Sequence, residues 1–305
     1  MTDHRLRRDH MRDFKTLGRQ GRAAAIAIVA GYVLQVFAAI LAGSWLLELP
    51  GTPLTFAGVA VVVFFLGTRL RGFNNIVHEC SHASFTEARG DNRLLGAFCA
   101  SMTLGCFADY RDGHMTHHAH LGDLDRDEDL RAIRRLHLED PLTPATVLRH
   151  VLTPIVGLNL PYYLKINLSS RDGRAFLVLK FAILAGGVLF LALNPLAALV
   201  LFWLPIFWMF PAINYWTDCI DHGGLFENGS ELESSRNMVV PKALRAILFP
   251  RNDCFHLVHH LFPQVPSQHL EACHRKLMAD SAYRQVNTEP RPHVEPVRGL
   301  RHGQA

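Results

Sequence analysis

Charge is scarce in this chain. Only 19% of its 305 residues are Asp, Glu, Lys or Arg, against 49% hydrophobic. That balance excludes an intrinsically disordered protein and leans toward a membrane environment. Lysine and arginine are missing from two tight connections, Glu48–Pro53 and Asn194–Pro195. The six cysteines (Cys80, Cys99, Cys106, Cys219, Cys254 and Cys273) form no CxxC pair. Free thiols packed as small apolar groups are therefore expected. There is no glycine-rich phosphate loop, no zinc-finger spacing and no basic stripe interleaved with aromatics, which argues against a nucleic-acid partner. No small-residue cleavage site follows the first apolar run, and that run is too long for a signal peptide.

Apolar length is what the chain has instead. Ile26 to Leu47 is an uncharged run of 22 residues, about 33 Å as a helix and enough to cross a hydrocarbon core. Leu54 to Leu70 is a second run, broken only by Arg69. Ala175 to Leu193 is a third, with Lys180 placed to snorkel, and Leu196 to Ile213 is a fourth. The short connections pair them into two helical hairpins. The expected fold class is all-α: an integral membrane protein with four transmembrane helices, at about 26–47, 54–70, 175–193 and 196–213, and a cytoplasmic helical cap. One domain is expected over residues 1–287, followed by a disordered tail at 288–305 rich in Pro, Arg and Gly. Arg5, Arg7, Arg8, Arg12, Lys15, Arg19 and Arg22 precede the first run. The positive-inside rule then puts both termini in the cytoplasm and both hairpin tips outside, and the basic N-terminus is expected to lie against anionic lipid. Residues 71–90 are expected to continue the second span as a helix. Leu94 to Phe107, too short to span, reads as an interfacial or packing helix, and residues 144–164 as an amphipathic interfacial one.

Three histidine clusters fall on that same cytoplasmic side. They are His78-Glu-Cys-Ser-His82, His114-Met-Thr-His117-His118 and His256-Leu-Val-His259-His260. Neutral imidazole is the commonest metal ligand and suits iron, zinc, copper and nickel. Spacings of three and four place such side chains on one helix face. Eight imidazoles are too many for one ion and enough for two. Eighteen histidines in all make some ordinary ones certain, but three clusters with this geometry, far apart in sequence, are a poor match to chance or to a compositional tract. His120, His137, His150, His269 and His274 remain outside the set, mostly as surface residues. The acidic run Asp123, Asp125, Asp127, Glu128 and Asp129 is either a solvated segment or, through Asp127 and Asp129, a source of hydrogen bonds that orient ligand imidazoles. Arg111 and Arg126 read as surface arginines.

These boxes, in this order and with two hydrophobic hairpins between them, resemble the membrane fatty acid desaturase superfamily. The likeness runs from about Ile26 to His274. His-Glu-Cys-Ser-His, the stretch from His117 to Asp129, and Asn252 ahead of His256-Leu-Val-His-His-Leu-Phe-Pro carry it locally. The resemblance implies an oxygen-dependent di-iron oxidase of C–H bonds, with two iron ions as cofactor and O2 as co-substrate. It adds His222, after the fourth span, to the ligand set of His78, His82, His114, His117, His118, His256, His259 and His260. It also brings Asp218, one helical turn before His222, and Asn252 close to the metals. Three residues between the histidines of the first box match acyl-lipid desaturases, and a fused cytochrome b5 motif is missing from the sequence. Electrons are therefore expected from a separate ferredoxin or cytochrome.

Desaturation of a fatty acyl chain is the leading expectation. A hydroxylase of the same superfamily, acting on an alkyl, carotenoid or small-molecule substrate, is the alternative, and a non-catalytic membrane metal binder is the third reading. Transport would require polar residues within the spans, and these have almost none.

Overall fold

The computed structural model describes residues 2–289 except 122, 124, 132–133 and 226–229. The tail expected to be disordered lies outside the described residues from position 290 onward. The described residues form an all-helical membrane protein. Helix α1 covers Thr2–Lys15, α2 Arg22–Glu48, α3 Pro53–Ser81, α4 Arg89–Met102, α5 Phe107–His120, α6 Pro144–Ile155 and α7 Arg174–Leu193. Helix α8 covers Pro195–Asp221, α9 His256–Leu261, α10 Leu270–Leu277 and α11 Ser281–Thr288. Helices α2, α3, α7 and α8 are each long and apolar enough to cross a membrane. Large apolar side chains such as Leu34, Phe37, Leu41, Phe56, Val178 and Leu193 stay exposed on them, as lipid-facing residues do.

Each hairpin turns where the sequence permits no further helix. Thr52 caps α3 by accepting the Thr55 N–H at 3.2 Å, and Pro53 starts the helix with its φ already set. Asn194 accepts from Ala197 N–H at 3.2 Å ahead of Pro195. The hairpins pack side by side through small residues. A side chain at Gly43 of α2 would strike Leu201, and one at Gly67 of α3 would strike Met209 and Ile213. Close approach at such residues is the usual basis of helix association in lipid. Gly43 lies near the end of α2 and Leu201 near the start of α8, so both hairpin tips share one end of the bundle.

The helices overrun the expected spans toward the other end. Helix α3 has 29 residues, about 43 Å, more than a hydrocarbon core of about 30 Å needs. Its excess carries the first histidine box clear of the apolar run. It does not continue to residue 90 as expected. It ends at Ser81, because Ala83 takes a positive φ of 52° and its N–H returns to the Cys80 carbonyl at 3.0 Å. Helix α8 runs eight residues past its expected end, to Asp221. Pro205 inside it has no N–H, and the helix relaxes into two wide π-type turns, Leu199–Trp203 and Pro205–Met209.

Two expectations about single charges are corrected. Lys180 does not snorkel. It is fully buried, and its ammonium donates to the Asn167 carbonyl at 2.9 Å, tying α7 to the segment before it. The basic N-terminus is not spent wholly on lipid either. Helix α1 folds back onto the third histidine box, where Leu6 and Phe14 are buried with Leu257, Leu261 and Phe262. Arg7 donates to the carbonyls of Leu261 and His260 at 3.0 and 3.2 Å, and Arg5 pairs with Asp280 at 2.6 Å. Helix α6 is amphipathic as expected, but it ends at Ile155, short of the expected 164, ahead of Gly157 with its φ of 77°. Val147, Leu148, Val151 and Ile155 are exposed while His150 and Thr153 are buried. Two indole N–H groups of α8, Trp208 and Trp216, hold it through the Pro154 and His150 carbonyls.

Candidate metal centre

All nine predicted histidines meet at the capped end of the bundle, in two groups. His78, His82, His114, His118 and His259 form one; His117, His222, His256 and His260 form the other. Within each group the ligand nitrogens lie within 4.8 Å of one another. The helical spacing explains the sorting. Each i, i+4 pair (78/82, 114/118 and 256/260) feeds one group. The adjacent pairs His117-His118 and His259-His260 split, sending one imidazole to each.

The nitrogens face each other instead of ordinary partners. His82 Nε2 is 2.9 Å from His114 Nε2, and His118 Nε2 is 3.1 Å from His114 Nε2 and 3.0 Å from His259 Nε2. In the second group His256 Nε2 lies 2.8 Å from His222 Nε2 and 2.9 Å from His260 Nε2. An ion bound at roughly 2.1 Å with imidazoles at right angles sets neighbouring nitrogens about 3 Å apart. The buried Nε2 of His78 has no hydrogen-bond partner. A nitrogen left unpaired in a buried cluster is costly unless something else binds it. The donor set therefore fits two ions, one per group.

The opposite ring nitrogens of four of these histidines face a partner, while that of His260 is buried without a hydrogen bond. His117 Nδ1 is 2.6 Å from Asp127 Oδ2, which is fully buried. His222 Nδ1 donates to the Ser234 carbonyl at 2.8 Å. His256 Nδ1 lies 3.4 Å from Asp221 Oδ2, and His114 Nδ1 lies 3.7 Å from Asp129 Oδ2. Such partners fix ring orientation and tautomer and turn Nε2 toward the cluster. Burial, reinforced by neighbouring imidazoles, pushes the pKa values of His82, His118, His222, His256, His259 and His260 well below the usual imidazole value. They are neutral near pH 7, with lone pairs available. Burial opposes charging of His117 too, but the hydrogen bond and charge of Asp127 outweigh it and its pKa is raised.

A cavity of about 290 Å³ reaches this centre, touching both groups through His78, His114, His117, His222 and His256. Asp218 lines it and accepts a hydrogen bond from Tyr163 Oη at 2.8 Å. Asp129 lines it as well. Asn252 is placed elsewhere: its amide donates to the Ser267 carbonyl at 2.9 Å, and its φ of 59° helps turn the chain ahead of α9.

The sequence profile of the fatty acid desaturase family matches residues 54–291. This chain belongs to the fatty acid desaturase family. It is 27% identical over 247 residues to a dihydrorhizobitoxine desaturase of Bradyrhizobium elkanii, covering 74% of this chain and 69% of the relative. It is 28% identical to a probable fatty acid desaturase of Sorghum bicolor, over 67% and 59% of the two chains. It is 30% identical over 127 residues to an oleoyl-12-hydroxylase of Ricinus communis, a stretch of 39% of this chain and 32% of that one. The family and these relatives are oxidoreductases of the desaturase and hydroxylase type.

Sequence reasoning missed several residues that hold this family's centre together here. Glu79, inside the first box, receives both Arg251 Nε and Nη2 at 2.7 and 2.9 Å. Asp253 receives Arg71 at 2.7 and 3.0 Å. These two buried pairs clamp α3 to the turn before α9. Asn237 accepts the Leu257 N–H at 3.1 Å and so caps the first turn of the third box. The acidic neighbours of boxes one and three were visible as Glu79 and Asp253, but their partners lie far away in sequence. Of the histidines set aside, His150 and His274 are buried rather than superficial, bonded to the hydroxyls of Tyr215 and Tyr283.

Proposed function

We propose that this protein is an oxygen-dependent di-iron membrane oxidoreductase that desaturates an aliphatic chain, a fatty acyl group being the leading substrate. The observation that carries the proposal is the sorting of nine imidazoles into two groups at the wall of a single cavity. His78, His82, His114, His118 and His259 would hold one iron; His117, His222, His256 and His260 would hold the other. Iron supplies the binding and reduction of dioxygen and the abstraction of hydrogen from an unactivated carbon, chemistry open to no side chain. The protein holds the rings in register through Asp127, Asp129, Asp221 and Ser234, and its cavity sets which carbon lies beside the centre. Asp218 and Tyr163 fix a polar contact in that wall.

The electron count defines what else is needed. Conversion of CH2–CH2 to CH=CH with reduction of O2 to two waters takes two electrons and two protons, as two hydrogen atoms, from the substrate. Two further electrons and two protons must come from outside. A separate ferredoxin or cytochrome is the proposed donor. The cap, both termini and the boxes are assigned to the cytoplasm from the positive-inside rule.

Hydroxylation is the second reading, favoured by the similarity to a protein named as an oleoyl hydroxylase. It draws the same two external electrons. A small-molecule substrate is also supported, by a relative named for dihydrorhizobitoxine. Mass spectrometry of lipids and small metabolites from cells making the wild type or His118→Ala tests all three. A wild-type-only product two hydrogens lighter than its precursor establishes desaturation and names the substrate class. A product one oxygen heavier establishes hydroxylation. A purified protein that binds iron but never consumes oxygen with any donor would leave only a metal-binding role.

A further inference from the structure

A second, larger cavity of about 620 Å³ meets the metal centre at a different imidazole. It touches His82 and shares no lining residue with the cavity that holds Asp218 and Tyr163. Its walls come from the end of α3, from α4 and α5, and from the segment just before α7. Four arginines line it: Arg89, Arg93, Arg111 and Arg171. Among the described residues only Arg171 is neutralised, by Asp109 and Asp112. The lining carboxylate Asp172 is already used, accepting the Phe107 and Ala108 N–H groups at 2.7 and 2.9 Å. Arg111 donates only to the Ser81 carbonyl, at 3.3 Å, one residue from His82. Arg89 and Arg93 are exposed. They sit one turn apart on the same face of α4, and among the described residues neither forms an ion pair, whereas Arg22, Arg126, Arg134, Arg149 and Arg275 do.

Unpaired like charges kept together on a rim, beside an opening to the histidine cluster, present a positive face that an acidic partner complements. Complementary charge steers encounter and sets orientation. We propose that an acidic one-electron carrier protein docks over Arg89, Arg93 and Arg111 and delivers electrons to the centre from its His82 side. The inference rests on the oxidase reading above and adds where its external electrons enter. Per turnover the carrier would dock twice, each time giving up one electron, while the two protons come from water. The substrate meanwhile keeps the other cavity, so the two reactants need not exchange places.

The test uses the full-length, iron-loaded protein in phosphatidylcholine nanodiscs, with two probes: a reduced plant-type [2Fe–2S] ferredoxin and soluble cytochrome b5. Association is measured by surface plasmon resonance across a salt series for the wild type and for the double variant Arg89→Glu, Arg93→Glu. The expected result is salt-sensitive binding of at least one probe to the wild type, weakened about ten-fold or more in the double variant. Iron content and thermal midpoint should be unchanged. In turnover the variant should raise KM for the carrier and keep kcat at saturating carrier. Equal affinity in both proteins, or no association of either probe with the wild type, overturns the proposal. So does a double variant that keeps carrier affinity but loses co-purifying phosphatidylglycerol, which would assign the arginines to a lipid head group. A wild type that binds the carrier yet oxidises nothing would count instead against the oxidase reading, because association is scored separately from turnover.

Discussion

His118 Nε2 faces the Nε2 atoms of His114 and His259 at 3.1 and 3.0 Å. Replacing His118 by Ala takes one nitrogen from a group of five and leaves the other group complete. The expected result is loss of turnover with the protein still in the membrane, and iron content falling toward half. Full activity would sink the ligand assignment. Asp127 acts one step further out, on the far nitrogen of His117. Asp127→Asn keeps the volume and removes the charge; metal affinity or activity should fall about ten- to a hundred-fold, read by competition with a chelator. At this scale the ligands were legible because helical spacing repeats locally and imidazole has a narrow chemical use. Their supports were legible only where they lie close in sequence, as Asp127 does. Ser234 offers a backbone carbonyl, which residue type cannot announce, and Tyr163 reaches Asp218 from another helix.

Among the elements, α3 carries the heaviest structural duty. It starts in apolar surroundings at Pro53 and ends inside the metal site. The Glu79–Arg251 pair fastens it to the turn before the third box, and both side chains are largely buried. Removing one member of a buried, doubly hydrogen-bonded pair typically costs about 3–5 kcal/mol. Glu79→Ala should therefore lower the thermal midpoint in detergent and loosen iron binding, even though Glu79 is not itself among the proposed ligands. An unchanged midpoint and iron content would show that the clamp is dispensable. Four helices were readable from apolar length alone, since a bilayer demands such length. Their true ends were not, because α3 and α8 continue past the apolar run on polar residues that the cap buries. The docking of α1 was hidden for a related reason. Its arginines count the same whether they face lipid phosphates or, like Arg7, the carbonyls at the end of α9.

At the level of the whole molecule, the cap is a thin shell of short helices closed around its own ligands. Helix α5 buries little besides Phe107, His114 and His117, and three of the six residues of α9 are histidines. Metal should therefore be part of the folding energy of this end. Ligand present at a hundred times its dissociation constant stabilises the native state by about 2.7 kcal/mol per site. Removing iron with a chelator should lower the midpoint of cap unfolding, read by hydrogen exchange at residues 107–120 and 256–261, while α2 and α7 stay protected. Uniform loss of protection across the spans would contradict this division. The proposed orientation has a direct check as well. Gly51 lies exposed at a hairpin tip, where an added Cβ would make ordinary contact with the Phe56 ring at 3.5 Å. A Gly51→Cys variant should react with a membrane-impermeant maleimide added to intact cells, and labelling only after the cells are broken open would invert the topology.

The split of each adjacent histidine pair has a further consequence. Between His117 and His118, and again between His259 and His260, a single planar peptide unit separates a residue of one group from a residue of the other. The interval between the two proposed metal positions would thus be constrained twice by covalent structure, in addition to how the helices pack. Were the bundle to breathe around a bound substrate, these two peptide units would limit how far the two groups could part. The protein has built its ruler into the backbone.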